Sequence, residues 1–289
     1  MKAIVCAAGM GTRLFPVTIA TSKHLLPVYD KPMIYYPISV LMLAGIRDIL
    51  LIVNDHDKIS YENLLGDGSL FGVKFTYIVQ PTPGGLPQAL ILGEKFLNNE
   101  KCCLILGDNV FYGQGFVEQV KTAITKNKGA TIFVYKVFDP RDFGVAKLDN
   151  KLRVLELDEK PEHPKTNLAV TGLYVFDGSA PIKARELVPS SRGEIEIIDL
   201  LRSYLANDTI HAQILGRGMA WLDMGSHETM LEASHFVSSI QNRQGLKIAC
   251  LEEIALLKGW ITLSEIRSSP AFHAKNDYSA YLHSLIETC

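Results

Sequence analysis

The residues that decide the fold lie at positions 2–13 and read KAIVCAAGMGTR, an apolar run followed by a loop with two glycines. The apolar run predicts a first β-strand of a buried sheet. Small residues after a strand let the backbone approach a ligand, so that its N–H groups can bind phosphate oxygens. Because Arg13 and Lys23 add positive charge, the stretch predicts a polyphosphate site. An ordinary glycine turn with two solvated cations fits the motif about equally well.

The spacing of this loop differs from two common nucleotide-binding motifs. The dinucleotide fingerprint needs a third glycine at the position of Arg13, and a P-loop needs Gly-Lys-Ser/Thr directly before a helix. A nicotinamide-dependent oxidoreductase is therefore the least favoured interpretation of the chain.

Beyond the loop, apolar runs alternate with helical patterns through the first half of the chain. Strands are predicted at 3–7, 48–53, 75–79, 102–106 and 130–138, and helices near 33–44, 58–65, 88–97 and 116–126. This order predicts an α/β fold with a Rossmann-like, mostly parallel twisted sheet flanked by helices. Ligands of such sheets bind at the carboxyl ends of the strands.

The second half has shorter, more alternating segments, which predict an added β region beside the first sheet. Further strands are expected at 144–148, 152–157, 168–176 and 210–215, and helices at 196–205, 228–240, 252–258 and 278–286. We expect one domain over residues 1–240, with halves of about 1–140 and 141–227. Residues 241–289 are expected to form a small C-terminal helical appendage.

Composition narrows the function classes. A chain of 289 residues that is 47% hydrophobic can bury a large core, and its net charge of −2 argues against a nucleic-acid binder. Five cysteines without a CxxC pair are expected to be reduced and mostly buried. The longest uncharged stretch, residues 32–46, is shorter than the roughly 20 residues that span a bilayer. No signal peptide is visible, so we expect a cytoplasmic protein.

Two carboxylates follow predicted strands. Asp108 comes after the strand at 102–106, and Asp223 ends the apolar run at 219–222. Two acids at two strand ends suit Mg²⁺, which usually takes one or two protein carboxylates together with substrate phosphates and waters. Taken alone, each acid is more often a turn or helix-cap residue.

A base-recognition site is suggested by Gln80, which closes the strand at 75–79 and precedes a loop rich in proline and glycine. Its amide offers a donor and an acceptor, as the imide edge of thymine or uracil requires. Gly85 lacks the side chain that would keep a base from the backbone. A proline-rich turn with an exposed amide is the competing interpretation.

Glu159 and Lys160 could bind a sugar phosphate, because the carboxylate accepts hydroxyl protons while the ammonium neutralises the phosphate. Glu194, which precedes a predicted helix, could contact a hydroxylated ligand. Adjacent Glu-Lys is also common on surfaces, and Glu194 could simply cap the helix. The eight histidines show no metal spacing, and no nucleophile signature is present.

Taken together and in order, these segments resemble the sugar-phosphate nucleotidylyltransferases, above all the members that use glucose 1-phosphate and a thymidine nucleotide. The resemblance covers almost the entire chain, and eight collinear motifs make it specific. The motifs are the loop with Thr12-Arg13, Ser22-Lys23 with Leu25-Leu26-Pro27, residues 29–37, Leu65-Gly66-Asp67-Gly68, Leu106-Gly107-Asp108-Asn109, Glu159-Lys160-Pro161, Val170-Thr171-Gly172-Leu173-Tyr174 and Trp221-Leu222-Asp223.

The resemblance implies a reaction in which a glucose 1-phosphate oxygen attacks the α-phosphorus of dTTP and pyrophosphate leaves. It implies a catalytic set of Arg13, Lys23, Asp108 and Asp223, of which the two acids hold Mg²⁺. The implied nucleotide-binding residues are Ala8, Gly9, Gly11, Thr12, Arg13, Gln80, Gly85 and Asp108. The implied sugar-phosphate residues are Asn109, Gly144, Glu159, Lys160, Val170, Glu194 and Trp221.

The chain departs from the usual family pattern at several positions, although none of them is an acid or cation of the implied site. The departures are Ala8 in place of glycine, His24 in place of glutamine, Gly84 and Pro87 in the base-side loop, Phe143 in place of tyrosine, and Met224 in place of threonine.

Longer members of the family form homotetramers with a second nucleotide-sugar site for feedback inhibition by a dTDP-sugar. The resemblance therefore implies a homotetramer, with Gly113 and Arg217 at such a regulatory site. Two other functions stay open: an enzyme that uses UTP, because Gln80 can bind either imide, and a non-catalytic nucleotide-sugar sensor. The presence of Arg13, Lys23 and both acids argues against the sensor.

Overall fold

The apolar run that opens the chain forms a central strand of a large sheet, where Ala3, Ile4 and Val5 are completely buried. The structure is a computed structural model that describes residues 1–288. The strands are β1 (Lys2–Ala7), β2 (Pro27–Val28), β3 (Lys31–Pro32), β4 (Asp48–Val53), β5 (Lys74–Val79), β6 (Cys102–Leu106), β7 (Asn109–Tyr112), β8 (Ala130–Lys136), β9 (Gly144–Leu148), β10 (Val154–Glu159), β11 (Leu168–Phe176), β12 (Ile210–Leu215) and β13 (Ala220–Asp223).

Helices cover both faces of this sheet, with two separate groups of buried side chains beneath them. The helices are α1 (Tyr35–Leu43), α2 (Lys58–Leu65), α3 (Pro87–Leu92), α4 (Glu94–Leu97), α5 (Phe116–Lys126), α6 (Ala180–Arg185), α7 (Ile197–Leu205), α8 (His227–Gln244), α9 (Leu251–Leu257), α10 (Leu263–Ser268), α11 (Pro270–His273) and α12 (Asp277–Thr288). The predicted α/β fold is confirmed.

The sheet has a parallel half and a mixed half. In the parallel half β1 lies between β4 and β6, and β5 pairs with β4. In the mixed half β11 runs antiparallel to β6, β8 and β9, while β12 extends β8 in parallel and β10 pairs with β9. The pairing of β11 with β8 is interrupted between Val170 and Tyr174. On its other edge, β11 pairs with β9 at Ala169 and with β6 from Leu173 onward. This interruption opens the sheet beside the carboxyl end of β6.

A two-stranded ribbon of β7 and β13 lies at this opening. The strands are antiparallel, and Asp223 is paired in register with Asn109. β7 was not predicted, because four residues directly after a turn are too few to show a period. The predicted helix at 88–97 is interrupted at Gly93, and the strand predicted to reach residue 138 ends at Lys136.

The C-terminal helices α9, α10 and α12 bury Leu251, Ile254, Ile266 and Leu282 in the same core group as the buried residues of α1. The expected division into a domain over 1–240 and an appendage over 241–289 stays a prediction. Among residues 1–288 no helix is both long and apolar enough to cross a membrane. Cys6, Cys102, Cys103 and Cys250 are free, as predicted, and Cys289 lies outside the described residues.

Candidate active site

Two adjoining cavities lie at the carboxyl ends of β1 and β6. The first, of about 480 Å³, is lined by the loop after β1 and by the loop after β5, and we call it the loop-side cavity. The second, of about 250 Å³, is lined by β9, β11 and the β7–β13 ribbon, and we call it the ribbon-side cavity. Asp108, Leu86, Leu106 and Glu194 line both, so Asp108 lies where the cavities meet.

The sequence-predicted residues divide between these cavities. Residues of the implied nucleotide site that line the loop-side cavity are Ala8, Gly9, Thr12, Gln80, Gly85 and Asp108, and Lys23 of the implied catalytic set lies there too. Residues that line the ribbon-side cavity are Arg13, Asn109, Gly144, Glu159, Lys160, Val170, Glu194, Trp221 and Asp223. The structure therefore brings together residues that are far apart in the chain, in one continuous cleft.

Gly11 lies outside the lining of both cavities. Its φ of 61° is left-handed, and a Cβ atom there would come within 2.8 Å of Thr18 Cγ2. The Thr18 hydroxyl donates a hydrogen bond to the Gly11 carbonyl at 3.0 Å. Gly11 thus turns the loop and lets it close against Thr18, which brings Thr12 and Arg13 to the cleft.

Asp108 is buried and held from both sides. The Lys23 ammonium donates to Oδ2, and the Asn109 amide donates to Oδ1 at 3.0 Å. Burial by itself would raise the pKa of Asp108, but the positive charge of Lys23, together with the hydrogen bonds from Lys23 and Asn109 and a contribution from His24, holds the pKa below its usual range. Asp108 is therefore an anion fixed at the junction of the two cavities.

Asn109 ties three parts of the site together. Its Oδ1 accepts hydrogen bonds from Trp221 Nε1 at 2.7 Å and from the Gly172 N–H at 3.2 Å. The second bond satisfies a backbone donor at the interruption of β11, and a Cβ at Gly172 would come within 2.5 Å of Oδ1. Asn109 and Trp221 both line the ribbon-side cavity, and Asn109 Oδ1 and Trp221 Nε1 are already hydrogen-bonded to each other.

Asp223 lies beside Asp108 because the β7–β13 ribbon places it opposite Asn109, and the Met224 N–H donates to the Asp108 carbonyl at 3.0 Å. Burial raises the pKa of Asp223, and the negative charge of Asp108 raises it further. Lys23 and Arg13 offset part of this effect. Within residues 1–288, Asp223 forms no ion pair, so its charge is not fully matched by the protein.

This donor set fits a divalent cation of the magnesium type. Two neighbouring carboxylates that face a cleft leave an excess of negative charge, which a cation with oxygen preference would neutralise. Among the described residues no group of three or more histidine, cysteine or acidic side chains could hold a metal by itself. Any cation held here would complete its coordination with ligand oxygens and water.

Arg13 lies next to the segment that follows Asp223. A Cβ at Gly225 would come within 2.5 Å of the Arg13 guanidinium, so the guanidinium lies directly against Gly225. Arg13 lines the ribbon-side cavity and a neighbouring cavity that also includes Asp223. A cation and an acid therefore line the same part of the cleft, and the charge of Arg13 lowers the pKa of Asp223.

A second acidic group lies at the far wall of the ribbon-side cavity. Arg192 donates to Glu196 at 2.7 Å and to Glu159 at 3.4 Å. Burial and the neighbouring Glu196 raise the pKa of Glu159. Glu159 and Glu194 were predicted from the sequence, whereas Arg192 and Glu196 were not, although they lie in the same stretch as Glu194, residues 192–196.

The histidine that departs from the family pattern belongs to a buried network. His24 Nδ1 lies 3.1 Å from Ser22 Oγ and 3.3 Å from the Tyr61 hydroxyl, which donates to the Ala7 carbonyl at 3.1 Å. Burial lowers the pKa of His24 to about 3, so the imidazole is neutral. The network fixes the loop after β1 against Tyr61 of α2, and no sequence motif predicted it.

The base-side loop is held by backbone contacts. The Gly84 carbonyl accepts from the Ile195 N–H at 3.0 Å, and Gly85 has a φ of 91°. A Cβ at Gly85 would lie 2.0 Å from the Ile195 carbonyl oxygen. The sequence predicted that position 85 is glycine so that a base can approach the backbone. In the structure, the tightest requirement for glycine comes from the Ile195 carbonyl oxygen.

Gly113 and Arg217 lie elsewhere, outside the lining of both cavities. A Cβ at Gly113 would come within 2.9 Å of the Gly218 carbonyl oxygen, so Gly113 is next to the turn that carries the exposed Arg217. The two residues are therefore neighbours on one surface. Their regulatory role stays a prediction.

Comparisons with known proteins show the family of the chain. The family model described as "Nucleotidyl transferase" matches residues 2–240. The glucose-1-phosphate thymidylyltransferase of Neisseria meningitidis serogroup A is 53% identical over 287 residues, which cover 99% of this chain and 100% of that protein.

Two solved structures share the fold. A Bacillus anthracis protein assigned as a glucose-1-phosphate thymidylyltransferase, in complex with sucrose, superposes with a TM-score of 0.76 at 39% identity, over 82% of this chain and 94% of that chain. A UDP-glucose pyrophosphorylase with bound UDP-glucose superposes with a TM-score of 0.75 at 26% identity, over 83% and 98%.

Proposed function

This chain belongs to the nucleotidyl transferase family, and from that premise we propose that it transfers a thymidylyl group from dTTP to α-D-glucose 1-phosphate. The products are dTDP-glucose and pyrophosphate. The observation that carries the proposal is the position of Asp108, between a cavity with a glycine loop and a cavity with a carboxylate-lined wall. Relatives with this activity match nearly the whole chain.

In the proposed reaction an oxygen of the glucose 1-phosphate attacks the α-phosphorus of dTTP, and the bond to the bridging oxygen of the β-phosphate breaks. No protein nucleophile takes part. Catalysis then depends on holding the two anions in line and neutralising charge at the pentavalent phosphorus. Lys23 at the junction of the cavities would neutralise the reacting phosphates, and Arg13 would stabilise the leaving pyrophosphate.

Asp108 and Asp223 would hold a divalent cation, Mg²⁺ in our proposal, which supplies charge neutralisation for the triphosphate when it is bound. In the chain itself, Lys23 and Asn109 keep the carboxylate of Asp108 ionised and fixed. Asp223 is carried to the same point by the β7–β13 ribbon.

The two substrates would occupy separate cavities. Thymine would lie against Gln80 in the loop-side cavity, with the triphosphate along the loop from Ala8 to Thr12 and Arg13 next to it in the ribbon-side cavity. Glucose 1-phosphate would lie in the ribbon-side cavity, where Glu159 would accept hydrogen bonds from the sugar hydroxyls and Lys160 would neutralise the phosphate. The proposal also keeps the expected cytoplasmic location, the homotetramer, and feedback inhibition by a dTDP-sugar near Arg217.

A pyrophosphate-release assay with glucose 1-phosphate and each of dTTP, UTP, dCTP and dATP tests the proposal. We expect turnover with dTTP and none without a divalent cation. Equal or greater turnover with UTP would assign the chain to uridylyl transfer, as the likeness to a UDP-glucose pyrophosphorylase would allow. Binding of nucleotide without pyrophosphate release would indicate a sensor.

A further inference from the structure

The amide of Gln80 is not alone in the base-side loop. Its Nε2 donates a hydrogen bond to Oε1 of Gln88, the second residue of α3. Gln80 lines the loop-side cavity, whereas Gln88 does not, so Gln88 is placed behind the residue that would read the base.

Gly84 makes room for this contact. A Cβ atom at Gly84 would come within 2.6 Å of Gln88 Cδ and Oε1 and within 2.7 Å of Nε2. Any other residue at position 84 would push the Gln88 amide away. The opposite side of the loop is fixed by the hydrogen bond from the Ile195 N–H to the Gly84 carbonyl. The loop therefore holds Gln88 against Gln80.

Amide orientation decides which pyrimidine a glutamine can bind. Thymine and uracil present an N3–H donor beside the O4 acceptor, whereas cytosine presents an N3 acceptor beside the N4 donor. A side-chain amide pairs with the first pattern in one orientation and with the second when it is turned over by 180°. In this structure Gln88 presents its Oε1 to Gln80 Nε2, and an acceptor in that position favours one of the two orientations.

We propose that Gln88 is a positioning residue that fixes the Gln80 amide in the orientation that reads thymine or uracil and rejects cytosine. Gly84 is the residue that admits it. The inference rests on the proposed function, because it assumes that Gln80 contacts the base of a nucleoside triphosphate. It adds a determinant of base choice that acts through another residue.

The experiment measures kcat/KM for dTTP, UTP and dCTP with glucose 1-phosphate. Gln88→Met keeps the length of the side chain but cannot accept the hydrogen bond. We expect the ratio of kcat/KM for dTTP to kcat/KM for dCTP to fall about fivefold to tenfold, since a neutral hydrogen bond is worth about 1 kcal/mol. The kcat/KM for UTP should change by the same factor as that for dTTP, because uracil and thymine present the same hydrogen-bonding edge.

Gln88→Glu provides the conservative rescue. A carboxylate is an acceptor only, so Gln80 Nε2 can still donate to it, and the ratio of dTTP to dCTP should stay within about twofold of the wild-type value. Gly84→Ala should lower the ratio in the same direction as Gln88→Met. Gly216→Ala is its control, because a Cβ at Gly216 meets no atom within 4 Å.

Two results would overturn the inference. Gln88→Met could lower kcat/KM for dTTP and dCTP by the same factor, which is the sign of a structural role. Gln88→Glu could match Gln88→Met, which would mean that acceptance of the hydrogen bond has no effect. Should Gln88→Met fail to fold, an unchanged ratio in Gly84→Ala would overturn it equally. A wild-type chain that uses neither dTTP nor UTP would overturn the proposed function itself.

Discussion

Two groups of acids and lysines lie in partly or fully buried positions in this molecule, and they differ in how completely their charges are matched. In the Asp30 cluster, Asp30 accepts hydrogen bonds from Lys31, from Lys247 at 2.6 Å and from Gln241 at 3.0 Å. Lys31 also donates to Gln241 Oε1 at 3.1 Å and lies 5.9 Å from the ring of Tyr278. Every charged group there has partners in the chain.

In the Asp108 cluster, Lys23 pairs with Asp108 while Asp223 has no ion-pair partner among the described residues. Despite burial, the pKa of Asp30 is held below its usual range by Lys247 and Lys31, whereas burial and Asp108 raise the pKa of Asp223. The Asp30 cluster joins the β2–β3 hairpin to the end of α8, and the Asp108 cluster faces a cleft. The comparison indicates that matched charge serves the fold and unmatched charge awaits a ligand.

The largest expected effect comes from Asp108→Asn, which removes the anion that pairs with Lys23. We expect kcat for pyrophosphate release to fall roughly a thousandfold, as when a central electrostatic group is lost from an active site. Asp30→Asn is the control from the other cluster, with a lower stability and an unchanged kcat for the folded protein. Near-normal turnover of folded Asp108→Asn would remove the distinction between the two clusters.

Lys31→Met tests the Asp30 cluster. Because the Lys31 side chain is only 2% exposed, its removal takes a buried donor away from Asp30 Oδ1 and from Gln241 Oε1. We expect the free energy of unfolding, measured in urea, to fall by about 3 kcal/mol. Lys128→Met, at an exposed position, should change it by less than about 0.5 kcal/mol. A loss of activity in folded Lys31→Met that exceeds its loss of stability would contradict the account.

Asp223→Asn sharpens the comparison, because it removes charge that the chain does not match. We expect kcat to fall about a hundredfold. The same change should raise the free energy of unfolding by about 1 kcal/mol, since it relieves a buried carboxylate beside another one. Both effects are read from one preparation by assay and thermal unfolding. A variant with normal activity and lower stability would place Asp223 among the structural charges.

The smallest effect concerns Glu252, next to the Asp30 cluster. The Tyr278 hydroxyl donates to Glu252 Oε2 at 2.5 Å, and burial raises the pKa of Glu252 above its ordinary 4.5. The folded state therefore binds this proton more tightly than the unfolded state. Wild-type stability should fall as the pH rises from about 4.5 through the raised pKa.

Glu252→Gln keeps an acceptor for Tyr278 but does not titrate. The free energy of unfolding of the variant, relative to the wild type, should therefore increase with pH over that window and then level off. Urea unfolding of both chains at a series of pH values measures it. Parallel pH profiles would show that Glu252 is not protonated preferentially in the folded state.

The parts of the site that depend on local sequence patterns were predicted from the sequence. Runs such as residues 48–53 and 102–106 gave the strands, and the rule that ligands lie at strand ends placed Asp108 at the cleft. The family resemblance, which rests on the order of the motifs, then placed Glu159 and Trp221 in the same site, although 50 or more residues separate each of them from Asp108.

Contacts made by tertiary packing were not predictable. The pairing of β7 with β13, the interruption of β11 at Gly172 and the network around His24 depend on segments far apart in the chain. The tightest requirement for glycine at Gly85 likewise comes from the Ile195 carbonyl, which is far from the loop in sequence. Such features have no period or spacing in the sequence, because they arise only when the elements pack.

The central claim is that Asp108 and Asp223 hold one divalent cation together with the triphosphate. A crystal structure with dTTP and Mn²⁺ in place of Mg²⁺ tests it most directly, because the anomalous signal of Mn²⁺ locates the ion. The account predicts one anomalous peak bonded to carboxylate oxygens of both acids and to a phosphate oxygen. A peak bonded to the triphosphate and to neither acid, or to only one of them, would contradict it.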